Sequence, residues 1–271
     1  MIVIFCISGL EVGFLEEITF RLEAVTPLFI AGADQRNVEG EGLRASSLRG
    51  LLRWWFRALA GCRVGGDVKF LRRVESGIFG STDLKSRVFL RTWCESSPTQ
   101  ITKRCSRWEE AVVWSDYIDY LFFSCLDKRK EGGGGIRVAS RPYYQEKSKF
   151  RVCIFGDEDG LRAALASLWS LVYLGGVGFR ARRGGGCLKI TEVKGDTFEL
   201  DFICKSPNRL EEFLRDNIEV ALNMVGSLFG RGERRPDLMP KYAALIPNHS
   251  ALLIKKIDAR SWGEALDEIG K

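Results

Sequence analysis

Polar and apolar residues alternate along several short stretches of this chain. Residues 18–24 place isoleucine, phenylalanine, leucine and alanine on one side and threonine, arginine and glutamate on the other. Because successive side chains of a strand point to opposite faces, this period of two predicts a half-buried strand. Further strands are predicted at residues 87–93, 150–155, 188–193, 198–204, 242–246 and 252–257.

Segments with helical spacing separate these strands. Apolar residues follow Leu48 at i+3, i+4, i+7, i+8 and i+11 and predict a helix that Ser46 or Ser47 caps and Gly61 ends. A serine just before the first apolar residue is a typical helix start. Further helices are predicted at the C-terminus and at residues 108–126, 157–174 and 208–229, the last from a capping box of Asn208 and Glu211.

The order of these elements predicts the fold class. It is β-α-β, an inserted helix, β-α-β and then β-α-β-β-α, which indicates an α+β protein with antiparallel sheets covered by helices on one face. The first half matches the βαββαβ pattern of ferredoxin-like (RRM-like) modules, and the second half looks like a less regular copy without its last strand. We therefore predict tandem ferredoxin-like modules. The predicted segments are an N-terminal extension at 1–17, a ferredoxin-like domain with an inserted helix and a glycine-rich loop at 18–195, and a second, smaller ferredoxin-like module at 196–271.

The numbers and spacing of cysteine and histidine limit the metal sites that the chain could form. The 271 residues include eight cysteines without any C-x-x-C spacing and a single histidine, His249. A structural zinc site needs four such ligands at close spacing, so we predict no metal site and no cofactor. No segment approaches roughly 18 uninterrupted apolar residues, and the apolar N-terminus lacks the basic start of a signal peptide. We expect a cytoplasmic protein with reduced cysteines.

Basic residues are concentrated in two windows of the sequence. The formal net charge is only +6, but residues 42–66 and 160–191 together hold ten basic residues and no acidic one. Such surfaces bind polyanions, of which nucleic acid is the commonest. Two ordinary solvated surfaces would give the same distribution, so charge alone leaves both interpretations open.

The first window carries a stripe of arginines on the predicted helix. Residues four apart lie on one helix face, here opposite the apolar residues. The stripe consists of Arg49, Arg53 and Arg57. Arg44 and Arg49 also lie near the helix N-terminus, where the helix dipole disfavours cations. Backbone N–H groups, arginines and the hydroxyls of Ser46 and Ser47 would form a phosphate site there, which would account for the misplaced charge.

The second window contains a loop with six glycines in the twelve residues 175–186, between a helix and a strand. Glycines expose backbone N–H groups and allow a ligand to approach closely. No Gly-Lys-Ser/Thr follows, and the helix precedes the loop, so neither a Walker loop nor a Rossmann fingerprint is present. We predict that the loop binds a phosphodiester backbone in one groove with the arginine stripe. Its candidate residues are Gly176, Gly178, Arg180, Arg182, Arg183 and Gly184.

Two other features do not add to the predicted site. A third basic cluster is diluted by acidic neighbours and is typical of a solvated loop. It comprises Arg231, Arg234, Arg235 and Lys241. No strand carries a run of aromatic residues of the RNP type, so the sequence does not predict base recognition on a sheet face.

In combination, these segments resemble the RAMP superfamily, the repeat-associated proteins of CRISPR systems. The resemblance rests on residues 26–32, 46–57, 79–81 and 175–186 and spans about residues 18–193. The runs Arg-Trp-Trp-Phe-Arg and Gly-Val-Gly-Phe-Arg-Ala-Arg-Arg-Gly look most like a subunit of the Cmr complex, the type III-B effector that silences RNA. This implies two ferredoxin-like folds, contact with guide or target RNA at the 3′-guide end, and docking on other RAMP subunits.

The resemblance also bears on catalysis. The subunit family in question binds RNA without cutting it, so we expect no catalytic residue. The alternative is a metal-independent guide-processing endoribonuclease, a class that often uses histidine, with His249 as its acid or base. Asp34 lies in a loop comparable to the one that carries the aspartate of the slicing subunit. A third interpretation is a scaffold whose basic surfaces dock an acidic protein neighbour.

Overall fold

The computed structural model describes residues 16–32, 34, 38, 42–229, 239–247 and 249–270. Within them the strands are β1 (Glu16–Ala24), β2 (Val88–Cys94), β3 (Thr102–Cys105), β4 (Leu126–Lys130), β5 (Ile136–Ser140), β6 (Lys149–Gly156) and β7 (Leu188–Lys194). The helices are α1 (Ala45–Val64), α2 (Val68–Phe79), α3 (Asp116–Leu121), α4 (Glu158–Leu174), α5 (Leu210–Ser227) and α6 (Trp262–Gly270). Short 3₁₀ turns lie at Trp108–Ala111, Phe123–Cys125, Ala181–Arg183 and Pro207–Arg209.

Four strands form an antiparallel sheet in the order β2-β6-β1-β7. Helices follow β1 and β6, so this is the βαββαβ ferredoxin-like arrangement that the sequence predicts for its first half. The register places Phe20 of β1 opposite Val152 on one side and Val193 on the other. The prediction of an antiparallel α+β fold is therefore confirmed for this module.

Helices α1 and α4 cover one face of this sheet. Ile18, Phe20 and Leu22 of β1 are buried in one cluster with residues of both helices. Helix α4 is buried on nearly every side, because it contacts the sheet, α1 and α5. Its Trp169 is fully buried and donates its ring N–H to the backbone oxygen of Asp201 at 3.0 Å. A helix enclosed in this way needs apolar residues all round, as its sequence has.

A smaller unit is inserted between β2 and β6. Its sheet has the order β3-β5-β4, and α3 packs beside α6. The predicted helix over 108–126 is wrong over most of its length, because only Asp116–Leu121 is α-helical and Ser115 caps it by accepting a hydrogen bond from Ile118 N. A second core joins the unit to the rest of the chain, since its Ile118, Phe122, Cys125 and Tyr143 pack with Phe29 and with Leu266 of α6.

The described part of residues 196–271 contains helices α5 and α6 joined by irregular segments. Helix α5 packs on α1 and α4, and residues 198–204, 242–246 and 252–257 form no strand, so these three strand predictions are wrong. Phe202 instead packs on Phe20 in the main core, with ring centroids 4.8 Å apart. Because burial in a core also produces alternating apolar residues, the pattern was misleading here. A second ferredoxin-like module stays a prediction.

Two helix ends also differ from the sequence predictions. Helix α1 continues past Gly61, where a Cβ would come within 2.3 Å of the Cβ of Ala244, so this glycine permits close packing and does not end the helix. The capping box of Asn208 and Glu211 is wrong, since α5 begins at Leu210 after a 3₁₀ turn and has no side-chain cap.

Candidate nucleic-acid interface

Four segments meet at the N-terminal end of α1: residues 26–32 after β1, the first turn of α1, residues 141–144 and the loop at 175–186. Leu28 and Tyr144 exchange two backbone hydrogen bonds of 2.8 and 2.9 Å, and Phe179 N donates to the carbonyl of Phe29 at 2.8 Å. A cleft of about 360 Å³ lies between these segments. Its lining includes Ala31, Arg44, Ser47, Arg141, Gly178 and Phe179.

The first turn of α1 faces this cleft without a side-chain cap. Its N-cap residue is Arg44, so the prediction that Ser46 or Ser47 caps the helix is wrong, and no acidic residue lies in the first turn. Arg44 donates to the backbone oxygen of Ala31 at 3.3 Å and to Ser47 Oγ at 3.1 Å. The positive end of the helix dipole and a cation therefore adjoin one cleft, which favours an anionic ligand.

The glycines of the loop are required mainly by its own packing. Gly178 and Gly186 have φ values of +87° and +64°, and a Cβ at these positions would come within 2.4 Å of Phe29 O and 1.8 Å of Val177 O. At Gly184, with φ +79°, a Cβ would come within 2.5 Å of the side chain of Leu266. Close approach of a ligand is therefore not needed to explain the glycine content, contrary to the expectation from sequence.

The loop arginines differ in their contacts. Arg180 has a left-handed backbone, donates from Nε to Ser124 Oγ at 2.8 Å and lies over the Phe123 ring at 4.4 Å. Arg182 and Arg183 follow in the 3₁₀ turn, where both are exposed, and they form no ion pair with any described residue. These two guanidinium groups are the accessible cations of the loop.

Three residues beside the cleft were missed by the sequence analysis. Phe179 is 45% exposed and Phe123 is 61% exposed, although both are large apolar side chains. Arg141 lies over the Phe179 ring at 5.1 Å. Phe179 stood within the glycine-rich loop and could have been singled out, but Arg141 and Phe123 come from the inserted unit, and no local pattern places them here.

The arginine stripe of α1 has structural partners. Arg53 and Arg57 both donate to Glu75 Oε1 of α2, at 2.5 and 2.9 Å, and the Glu75 side chain is only 5% exposed. Arg49 donates to the backbone oxygens of Phe79 and Val88, each at 3.2 Å, and burial with the neighbouring Arg53 lowers its pKa. These contacts occupy much of the hydrogen-bonding capacity of the stripe, although the Arg53 and Arg57 side chains remain 31% and 39% exposed. A role of these arginines in RNA binding stays an unsupported prediction.

The residues named for the enzymatic alternative lie apart from the cleft. His249 is exposed and lines a larger groove of about 960 Å³ at the other end of α1, beside Cys62 and Arg63. Asp34 is exposed and is not among the residues that line the cleft. In the third basic cluster, Lys241 is exposed. Its three arginines, Arg231, Arg234 and Arg235, lie outside the described residues.

The described residues include side chains of the types that bind metal ions and thiols of the type that act as nucleophiles. They contain no group of three or more His, Cys, Asp or Glu side chains that could hold a metal ion. Burial raises the pKa of the Cys125 thiol to about 11 and also raises that of Cys187, which directly follows the loop. Neither thiol is therefore a ready nucleophile near neutral pH.

Comparison with known proteins identifies the family. The RAMP superfamily model matches residues 21–189, which include both the first turn of α1 and the glycine-rich loop. The chain is 47% identical over 184 residues to CRISPR system Cmr subunit Cmr1-2 of Pyrococcus furiosus, a match that covers 66% of this chain and 97% of that protein. The chain belongs to the RAMP superfamily. The resemblance expected from the sequence is confirmed.

Longer RAMP relatives extend the comparison. Subunit Cmr1-1 of the same organism is 32% identical over 234 residues, which cover 86% of this RAMP chain and 64% of the relative. The crystal structure of apo Cmr1 from Pyrococcus furiosus is 29% identical with a TM-score of 0.62 and matches over 84% of this chain and 63% of its own. This RAMP chain thus spans just under two thirds of these two relatives.

A third solved structure shares the fold. The type III-B Cmr-beta complex bound to cognate target RNA contains a chain with a TM-score of 0.53 and 19% identity, over 78% of this RAMP chain and 62% of that chain. Separately, no helix among the described residues has the length and apolar character needed to cross a membrane.

Proposed function

We propose that this RAMP chain is a non-catalytic RNA-binding subunit of a type III-B CRISPR effector, and that the cleft at the N-terminus of α1 holds the phosphodiester backbone of single-stranded RNA. The observation that carries the proposal is the pair Arg182 and Arg183, exposed and without an acidic partner in the described structure, on the loop that lines this cleft. Arginine guanidinium groups bind phosphate oxygens in bidentate geometry.

The cleft supplies several features that suit a phosphate chain. The uncapped first turn of α1 presents backbone N–H groups and the positive end of the helix dipole. Arg44 and Arg141 line the cleft from two different segments. The exposed ring of Phe179 provides a surface on which a base can stack, as in other proteins that bind single strands. Together they allow backbone contact with one stacked base.

The partners follow from the relatives. This chain is homologous to Cmr subunits, and the solved Cmr-beta complex contains cognate target RNA. We infer that guide or target RNA is the ligand at the 3′-guide end and that other RAMP subunits are the protein partners. Arg44 of the first basic window and the glycine-rich loop of the second would then meet RNA at the cleft, while the remaining surface docks on neighbouring subunits.

Charge reversal of the loop tests the cleft. In the Arg182→Glu/Arg183→Glu variant, two phosphate contacts become repulsive, so the affinity for a labelled single-stranded RNA should fall about 10- to 100-fold at roughly 100 mM salt. The measurement is fluorescence anisotropy with the full chain.

A matched control exists on α2. Arg72 and Arg73 are adjacent and exposed, and they form no ion pair among the described residues, so Arg72→Glu/Arg73→Glu carries the same charge change elsewhere. We expect the fold-loss of RNA affinity in this control to be less than a third of the fold-loss in Arg182→Glu/Arg183→Glu. Equal losses in both variants would remove the loop from the proposed site.

A further inference from the structure

The face of the four-stranded sheet that points away from α1 and α4 carries exposed aromatic rings. We call it the open sheet face. Phe89 and Trp93 of β2 are each 38% exposed on it. Phe155 of β6 lies directly opposite Phe89 across the two strands. Large rings seldom remain exposed in such a cluster unless they meet a ligand or a partner.

Arginines lie over two of the rings. The Arg151 guanidinium is 4.5 Å from the centre of the Trp93 ring, and that of Arg91 is 5.4 Å from the centre of the Phe155 ring. Arg151 also lies directly opposite Arg21 of β1. Like charges in directly opposed positions destabilise a sheet. Stability of the sheet therefore does not explain this arrangement.

One of these arginines has an unsatisfied donor. Arg151 Nε is buried and has no hydrogen-bond partner. Oε1 of Glu95 lies 3.9 Å from it, which is too far for a hydrogen bond. Arg21, by contrast, pairs with Glu192 at 3.2 Å. Arg151 therefore has only a long ion pair with Glu95, and its side chain is 41% exposed, so an anion from outside can approach its guanidinium group, although not at the buried Nε.

We propose that the open sheet face binds a single-stranded stretch of RNA, with bases stacked on Trp93 and Phe89 and a phosphate bound by Arg151. The proposal rests on the proposed function, that this chain binds RNA, and adds a second contact surface to the cleft. Every base has a face that can stack on an aromatic ring, and arginines between the rings supply the charge for the backbone.

The composition of the face favours RNA over a protein partner. Arg91 and Arg151 lie between the aromatic rings, in the middle of the patch, and Lys149 continues the same face of β6. Arginine and aromatic residues also occur at the centres of protein interfaces, whereas lysine is depleted there, so the unpaired charge is what favours RNA. Arg91 and Lys149 form no ion pair among the described residues, although Glu17 of β1 also lies on this face, opposite Phe155. No sequence pattern indicated this surface, because its rings come from two strands that are far apart in the chain and neither strand carries an RNP-type run.

Substitution of Trp93 tests the proposal. Loss of one stacked base should weaken the affinity of the full chain for a short single-stranded RNA about 5- to 100-fold in Trp93→Ala, with partial recovery in Trp93→Phe. The dependence of affinity on salt should stay unchanged, since no phosphate contact is removed. Trp108→Ala is the matched control, because Trp108 is 47% exposed in the inserted unit, and its RNA affinity should equal that of the wild type.

Cross-linking of the wild type gives a second measurement that does not depend on the folding of a variant. RNA with 4-thiouridine should cross-link to peptides that contain Phe89, Trp93 or Phe155. The proposal would be overturned if Trp93→Ala bound RNA as tightly as the wild type and the cross-links lay elsewhere. It would also be overturned if Trp93→Ala lost self-association of the chain while its RNA affinity stayed unchanged. If the wild type binds RNA and only Arg182→Glu/Arg183→Glu weakens it, the sheet proposal fails and the cleft stands. If the wild type does not bind RNA, the proposed function itself fails.

Discussion

Arginines of the two basic windows differ in what their guanidinium groups contact. Arg53 and Arg57 share the carboxylate of Glu75, which lies 22 and 18 residues further along the chain. Arg182 and Arg183 are exposed and lack an acidic partner in the described ranges. A local run of basic residues therefore predicts a basic surface only where no acid from a distant part of the chain packs against it.

The glycines of the loop also depend on contacts with atoms that the local sequence pattern does not reveal. Gly186 has a φ of +64°, and a Cβ added to it would lie 1.8 Å from Val177 O. In Gly186→Ala both the left-handed backbone and the clash are unfavourable, so the free energy of unfolding should fall by at least about 2 kcal/mol. Urea unfolding followed by circular dichroism measures this change.

Gly50 provides the opposite case. It lies exposed in α1 with nothing within 4 Å of its Cβ position. Gly50→Ala should therefore stabilise the protein by about 1 kcal/mol, since alanine is the better helix former. A Gly186→Ala variant as stable as Gly50→Ala would contradict the packing assigned to the loop.

At the scale of elements, periodicity predicted the ferredoxin-like module well. The strands around residues 18–24, 87–93, 150–155 and 188–193 are all present, because one face of each is buried against helices and the alternation is clean. Helix α2 and the small sheet were not predicted. Strands β3 and β4 are four and five residues long and mostly polar, so they offer almost no period to detect.

The junction between α1 and α2 gives an element-scale prediction. In Glu75→Ala, Arg53 and Arg57 lose the acceptor that they share, so the free energy of unfolding should fall by about 2 kcal/mol. The effect is smaller than for a fully enclosed pair, because the two arginine side chains are 31% and 39% exposed. Urea unfolding measures the loss, and Asp127→Asn, which removes an exposed ion pair with Arg129 in the small sheet, should leave the midpoint unchanged.

The same variant tests the role of the stripe in RNA binding. Removal of Glu75 releases two arginines from their partner, so a stripe that binds RNA would bind it more tightly. We expect unchanged RNA affinity at matched folded fraction. A clear gain would return the arginine stripe to the candidate site.

For the whole molecule, the structure reduces the number of expected phosphate contacts. From sequence, all arginines of both windows could contribute, whereas the exposed arginines that line the cleft are Arg44 and Arg141. The exposed Arg182 and Arg183 lie further along the glycine-rich loop, beyond its residues that line the cleft. The elements that form the candidate cleft were thus partly predicted: the loop and the helix start were named from the sequence, but Arg141 joins them only through the folding of the inserted unit.

This set predicts the salt dependence of RNA binding. About four contacts to a single strand give a slope of about −3 in a plot of log affinity against log salt, so affinity should fall about 50-fold between roughly 50 and 200 mM salt. Anisotropy titrations at several salt concentrations measure the slope. The phosphate contact proposed for Arg151 would steepen the slope by about 0.7. A slope twice as steep would show that the arginine stripe of α1 also contacts phosphates.

The inserted unit begins and ends on paired neighbours, since Cys94 and Phe150 lie opposite each other and Glu95 N donates to Lys149 O at 2.9 Å. A unit attached through two adjacent points can be exchanged for a longer or shorter one without moving the strands that hold it. Phe123 and Arg141 belong to this inserted unit, whereas the glycine-rich loop joins α4 to β7 of the ferredoxin-like module. A change in the inserted unit would therefore alter one wall of the cleft and leave the opposite wall, formed by the glycine-rich loop, in place.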